Sequence, residues 1–280
     1  MSDPHLPLPN GTGRDLRFKQ RLGRRSWLRK RQRRHRPEVL AALLDDIRTH
    51  GPDHIALGGD LINIALPEEF ELARDWLTTL GPPQDVTLVP GNHDSYVANP
   101  AGLDLWRPWM TGDDGTTTFP FRRDRGPVSF IGLSTAVPKP PVLATGTLGP
   151  DQLARAEPLL QATKDRIRIV LIHHPVDNAA SPRKALTDRT DLQAVLARTG
   201  ADLVLHGHLH HAHMGLLQGP DRPIPVIGVP SASMIHDTDK GDPARWLDVQ
   251  INGPRITITA RGLTPDGFAT LSRLSLNTAS

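Results

Sequence analysis

The chain contains no cysteine, which removes disulfides and thiolate metal ligands from consideration. No apolar run reaches the roughly 18–20 residues of a membrane span, and the polar opening "MSDPHLPLPN" has no secretory-signal character. Neither an internal repeat nor a low-complexity linker divides the sequence, so one domain over 1–280 is expected, in a soluble, cytoplasmic protein. What is present is a 280-residue chain, 38% hydrophobic and 22% charged, ordinary for a globular protein long enough to bury a full core. It also carries thirteen histidines, many for this length, whose positions matter more than their number.

The net charge of +3 conceals an asymmetry. The segment Arg14–Arg36, "RDLRFKQRLGRRSWLRKRQRRHR", holds twelve Lys/Arg and one acid, while the remainder of the chain is net acidic. One reading is a solvated basic face. The other is an electrostatic element: a funnel for a phosphate-rich substrate, or a patch for an anionic membrane surface or nucleic acid. Phe18, Leu22, Trp27 and Leu28 among the charges suit a basic, partly amphipathic helix at a membrane surface, so a membrane-peripheral location is a second expectation. Nothing in the segment resembles a nucleic-acid recognition motif.

The spacing predicts a helix in "PEVLAALLDDIRTHG", with Val39, Leu40, Leu43, Leu44 and Ile47 on one face, and further helices in "LPEEFELARDWLTTLG", "GPDQLARAEPLLQAT" and "TDLQAVLART". Short apolar strands alternate with them: "DHIALGGD", "DVTLVPGNHD", "PVSFIGLST", "RIRIVLIHHP" and "ADLVLHGHLHH". "HMGLLQG" and "IPVIGVPS" follow, and "ARWLDVQI-NGP-RITITARGL" reads as an antiparallel hairpin. Alternation followed by consecutive strands predicts an α/β fold with two packed sheets. The proline-rich "AVPKPPVLATGTLGP" is expected as a surface loop near the site.

Four of these strands end in polar clusters: Gly58-Gly59-Asp60 with Asn63, Gly91-Asn92-His93-Asp94, His173-His174-Pro175, and Gly207-His208-Leu209-His210. Sites in α/β sheets gather beyond the carboxyl ends of strands. Asp3 and His5 form a fifth pair, two residues apart and able to aim at one point. Any one cluster alone is adequately explained as a turn or a capped helix. Together they supply carboxylates, an amide oxygen and imidazoles, a set suited to two adjacent divalent metals.

The ordered series D-x-H, G-D-x-x-N, G-N-H-D, H-H-P and G-H-x-H resembles the calcineurin-like metallophosphoesterase superfamily over nearly the whole chain. The resemblance implies a four-layer αββα sandwich with two mixed central β-sheets and a dinuclear site at their top. It implies that Asp3, His5 and His210 hold one metal, that Asn92, His173 and His208 hold the other, and that Asp60 bridges them. Mn, Fe, Zn, Co or Mg all suit these N/O ligands. Metals of this kind lower the pKa of a shared water, whose hydroxide attacks phosphorus. By the same pattern His93 faces the substrate and protonates the leaving oxygen, with Asp94 as its orienting partner.

The expected activity is hydrolysis of a small-molecule phosphate ester, a phosphodiester first and a monoester second; the rival from another class is a non-catalytic adaptor using the basic segment. His174 is expected to point away from ligand His173. His206, His211 and His213 are expected as loop or supporting residues, and His35, His50, His54 and His236 as ordinary polar residues. Only Met1 and Ser2 precede Asp3, so the metal held by Asp3 and His5 is expected on a frayed, weakly held end.

Overall fold

The computed structural model describes residues 1–11, 15–235 and 241–277; Arg14 of the basic segment and His236 lie outside the described residues. Helices are α1 Phe18–Arg29, α2 Pro37–His50, α3 Pro67–Leu80, α4 Pro100–Asp104, α5 Pro150–Gln161 and α6 Arg189–Thr199. Strands are β1 Ile55–Leu57, β2 Val86–Leu88, β3 Phe121–Arg125, β4 Val128–Gly132, β5 Ile167–Leu171 and β6 Leu203–His206, then β7 His213–Leu217, β8 Ile224–Gly228, β9 Arg245–Asn252, β10 Arg255–Thr264 and β11 Gly267–Asn277.

Helix α2 begins with Pro37, whose fixed φ suits a first helical turn, and buries Leu40, Leu43, Leu44 and Ile47 at helical spacing. Helix α3 also opens with proline. Its buried Glu69 accepts from the amides of Asn63 (2.8 Å), Ile64 (3.2 Å) and Leu66 (3.0 Å), which satisfies donors at the helix start and folds the 60–66 loop back onto it.

The larger sheet has the order β3-β4-β5-β6-β8-β7. Strands β4, β5, β6 and β8 run parallel, with antiparallel β3 and β7 at the edges. It is buried on both faces, as a parallel sheet requires. Ile131, Val170, Ile172 and Val204 pack under Ala156, Leu160, Leu192 and Leu196 of α5 and α6. On the other face Val128, Phe130, Ile169 and Leu203 meet Ile256 and Ile258 of β10. Beyond lie α2 against Trp246 and α3 against Leu57 and Leu88. The layers run helix, sheet, sheet, helix, as expected.

The second sheet layer differs in detail from one mixed sheet. It consists of a parallel pair, β1-β2, and an antiparallel trio, β9-β10-β11. Met1 and Ser2 tie β1 to the segment after β8: the Met1 amine donates to Ala56 O (3.0 Å), Gly58 N donates to Met1 O (3.0 Å) and Ala232 N donates to Ser2 O (2.9 Å). A cavity of about 800 Å³ lined by Met1, Ile55, Ala56, Leu205, Trp246 and Val249 separates the two pieces elsewhere.

The basic segment corrects an expectation. Trp27 is not offered to a membrane surface; it is buried, and its ring stacks on His35 at 6.0 Å. Gln20 is buried too and donates to Ile64 O (3.1 Å). A side chain at Gly23 would come within 2.6 Å of Ile64, so α1 lies directly on the 60–66 loop. The inward stripe of α1 is thus a glutamine, a glycine and a tryptophan, which apolar periodicity does not reveal. Phe18, Leu22 and Leu28 are exposed.

Because Trp27 seats the insert, Trp27→Ala should destabilise the protein by about 3–5 kcal/mol, as for other buried tryptophans. Urea unfolding measures this; a loss below about 1 kcal/mol, the range of surface substitutions, would mean that the insert is only loosely attached.

Candidate metal centre

The loops after β1, β2, β5 and β6 converge, and their backbone is strained where they meet. Eight described non-glycine residues have φ between +44° and +69°, and five of them are Asp3, His5, Asp60, His208 and His210. Left-handed backbone at such residues costs energy and clusters at functional sites, with Asp and His tolerating it better than most. Two glycines give these side chains room. A side chain at Gly91 would stand 2.2 Å from Asp60 Oδ1, and one at Gly207 would stand 2.2 Å from Asp3 Oδ2.

The expected ligands are brought together in overlapping groups. Asp3, His5 and Asp60 each offer a donor atom within 4.8 Å of the others, and so do Asp60, His173 and His208. His210 Nε2 lies 3.2 Å from Asp3 Oδ1 and 3.3 Å from His5 Nε2. His173 Nε2 lies 3.2 Å from Asn92 Oδ1 and 3.4 Å from Asp60 Oδ2. On three rings the other nitrogen donates to a carbonyl: His5 Nδ1 to Ile62 O (3.3 Å), His173 Nδ1 to Gly58 O (2.6 Å) and His208 Nε2 to Lys184 O (3.0 Å). A carbonyl only accepts, so in the neutral ring the proton sits there and the inward nitrogen presents a lone pair of the kind a metal uses, which on His5 Arg31 takes.

The charges point the same way. Asp3 and Asp60 are buried carboxylates, and such groups need a cation or donors. Burial opposes a charged His173, but the charge of Asp60 and the hydrogen bond to it prevail and push its pKa up to about 10. The second proton of the charged ring sits on Nε2 beside Asp60, so a proton and a cation compete for the place where Asp60, Asn92 and His173 meet. The donor set, the glycine cradles and the tautomers all fit divalent cations bound by oxygen and nitrogen.

Asp3 is not on a frayed end, contrary to expectation. Its amide donates to Gly59 O (2.9 Å), its carbonyl accepts from Ser231 Oγ (2.6 Å), and its carboxylate accepts from His208 N (3.0 Å) and Ser2 Oγ (2.5 Å). His5 N donates to Asp60 O (3.1 Å). Contacts to three separate loops hold the pair, which nearness to the chain start does not disclose.

His93 is oriented by a different group than expected. Its Nδ1 donates to Asn63 O (2.6 Å) and its amide donates to Asp60 Oδ1 (2.7 Å). Asp94 instead accepts from the amides of Asp60 (2.8 Å), Leu61 (2.9 Å), Ile62 (3.2 Å) and Gly91 (2.8 Å), so it shapes loops rather than orienting His93. Burial, then the charge of Arg31, lowers the His93 pKa to about 3.

Two residues of the basic segment belong to the centre and were not anticipated. Arg31 reaches His5 and His93. His35, expected as an ordinary polar residue, is buried with its ring 4.5 Å from that of His5 and 5.3 Å from that of His210. A local signal existed for neither, since both lie in a run that reads only as dense positive charge. Among the other histidines, His174 bonds Thr135 Oγ1 (2.6 Å) and Ala144 O (3.1 Å), so its nitrogens are taken up outside the donor groups although its ring packs 4.2 Å from that of His208. His206 and His213 lie in β6 and β7, and His213 Nε2 pairs with Asp177 (2.6 Å).

Comparison with known proteins agrees with this geometry. Over 216 residues, 75% of this chain and 76% of the relative, it is 28% identical to a protein named as a probable cyclic nucleotide phosphodiesterase of Synechococcus sp.. Over 167 residues, 58% of each, it is 28% identical to the glycerophosphodiester phosphodiesterase GpdQ of Enterobacter lignolyticus. A solved structure of GAP50, the anchor in the inner membrane complex of Plasmodium, shares the fold at a TM-score of 0.51 and 13% identity, covering 100% of this chain and 88% of that one. Residues 1–212 match the family model described as calcineurin-like phosphoesterase. That span contains every expected donor residue from Asp3 to His210, and the chain belongs to the calcineurin-like phosphoesterases, metal-dependent hydrolases of phosphoric esters.

Proposed function

We propose that this protein is a phosphodiesterase with two divalent cations, one held by Asp3, His5 and His210 and the other by Asn92, His173 and His208. The observation that carries this reading is the position of Asp60, the one residue common to the Asp3–His5 group and the His173–His208 group. A carboxylate has two oxygens to share between two cations; an imidazole in that place does not. Cations bound there supply Lewis-acid polarisation of a phosphoryl group and a more acidic water. We take the chain to act as a single domain, and its lack of cysteine suits the reducing cytoplasm.

The residues around the donors divide the remaining work. The Asn63 carbonyl fixes the ring of His93 and leaves Nε2 toward the opening. In the free protein this nitrogen is unprotonated, and an anionic phosphoryl group beside it favours the imidazolium, which is the form able to give a proton to a leaving oxygen. Asn92 contributes a neutral oxygen, so its group keeps more positive charge for the ester than a second carboxylate would allow. Diesters are favoured over monoesters because both curated relatives are named as phosphodiesterases.

Asp60→Ala should remove bound metal and abolish hydrolysis of bis(p-nitrophenyl) phosphate. Elemental analysis of the purified variant beside the wild type checks the first part, and retained wild-type metal content would sink the two-cation reading.

His93→Ala should behave otherwise, keeping its metal while kcat falls on the order of 10²–10⁴-fold. The loss should shrink as the leaving group becomes more acidic, so a series of aryl and alkyl diesters is the measurement. A deficit that does not vary across the series would exclude proton donation by His93.

A further inference from the structure

A positive charge stands in the opening of the centre, and it comes from the basic insert. Arg31, in the 3-10 turn Arg31–Arg33, directs Nη1 to His93 Nε2 (2.7 Å) and Nη2 to His5 Nε2 (2.9 Å). Both rings have placed their Nδ1 proton on a carbonyl, so Arg31 donates to two neutral lone pairs. Among the described residues its side-chain hydrogen bonds all go to these two imidazoles. A half-buried guanidinium without a carboxylate partner is costly. The charges of Asp3 and Asp60 favour it electrostatically, yet these are the carboxylates that cations at the centre would neutralise.

The surroundings call for an anion as well. The opening beside Arg31, about 220 Å³, is lined by Lys19, Lys139, Asn92, His93 and Tyr96 among others, and among the described residues no acidic one lines it. Lys19 donates only to the carbonyls of Tyr96 (2.5 Å) and Lys139 (2.8 Å), with its ammonium 4.1 Å over the Tyr96 ring. Lys139 donates to Thr147 Oγ1 (2.9 Å). Three cations thus face one small space, and among the described residues their hydrogen-bond partners are neutral.

Arg31 is also held in place. Arg36 N donates to Ser233 O (2.8 Å) and Ile235 N donates to Arg34 O (2.9 Å). His35 bonds Ser233 Oγ (3.0 Å) and carries the Trp27 ring. The turn is therefore fastened to the segment 233–235 and, through His35, to α1.

We infer that Arg31 is the phosphoryl-binding residue of this centre, its guanidinium fork taking two non-bridging oxygens of the bound phosphate ester between His5 and His93. A planar fork with two parallel N–H donors matches that ligand, a tetrahedral oxyanion, better than a lysine would. The insert is on this view a recognition element for the ester. The inference deepens the proposed phosphodiesterase reading and rests on it for the reaction, but not for the binding of phosphate.

The test is calorimetric titration of inorganic phosphate into the metal-loaded full-length protein, with metal content measured on each sample. Arg31→Gln should weaken phosphate binding by about ten- to a hundredfold, and Arg31→Lys should recover only part of that. Arg33→Gln, which removes an exposed charge from the same turn, should match the wild type. The KM for bis(p-nitrophenyl) phosphate should rise in parallel with the phosphate dissociation constant while metal content stays constant. Wild-type phosphate affinity in both Arg31 variants would overturn the inference, and so would a change in their metal content, which would assign Arg31 to the metal groups instead. If the wild type cleaves no diester yet phosphate binding still depends on Arg31, the phosphodiesterase reading falls and this inference stands.

Discussion

The centre depends on one carboxylate whose hydrogen bonds, among the described residues, are all to backbone amides. Asp94 accepts four backbone amides, three from residues 60–62 and one from Gly91, and so ties the loop after β1 to the loop after β2. Burial and the neighbouring charge of Asp60 push its pKa upward, while the four donors favour the charged form. The clamp holds Asp60 in its left-handed conformation, and Asp60 Oδ1 in turn accepts the amide of His93 (2.7 Å). Removing Asp94 would free four buried amides at once, so the positions of Asp60 and His93 are not independent of it.

From that clamp outward, the donors are held by backbone rather than by one another. Each inward-facing ring of His5, His173 and His208 rests on a carbonyl, and the carboxylate of Asp3 is pinned by the amide of His208 (3.0 Å). Five left-handed residues concentrate the strain at the donors, and the two packed sheets beneath supply the rigidity that sustains it. A centre built this way is pre-organised: little reordering of side chains is needed when charge is added.

The insert illustrates how composition misleads. Twelve basic residues in one stretch read as a surface patch, because charge density is visible in the sequence and packing is not. Most of those side chains do face solvent. Those of the segment that turn inward, Leu16, Gln20, Trp27, Arg31 and His35, are of mixed chemistry and form no apolar stripe. An aromatic among arginines suits either an interface or a buried anchor until its neighbours are known, and Trp27 is the second.

The sequence by itself determined the layered α/β architecture and which strand-end loops meet at the centre. Helical spacing in α2 and α3 and the short apolar runs of β1, β2, β5 and β6 are local properties, and so are the polar residues that end those strands; each was legible because it repeats along the chain. Only the tertiary structure decided which partner orients which residue. That Asn63 rather than Asp94 holds His93, that Asp3 is firmly anchored, that the second layer divides into β1-β2 and β9-β10-β11, and that Arg31 and His35 reach the centre all depend on contacts between segments far apart in sequence. Residue spacing encodes the direction of a side chain from its own element, but the acceptor it meets is set by how the elements pack.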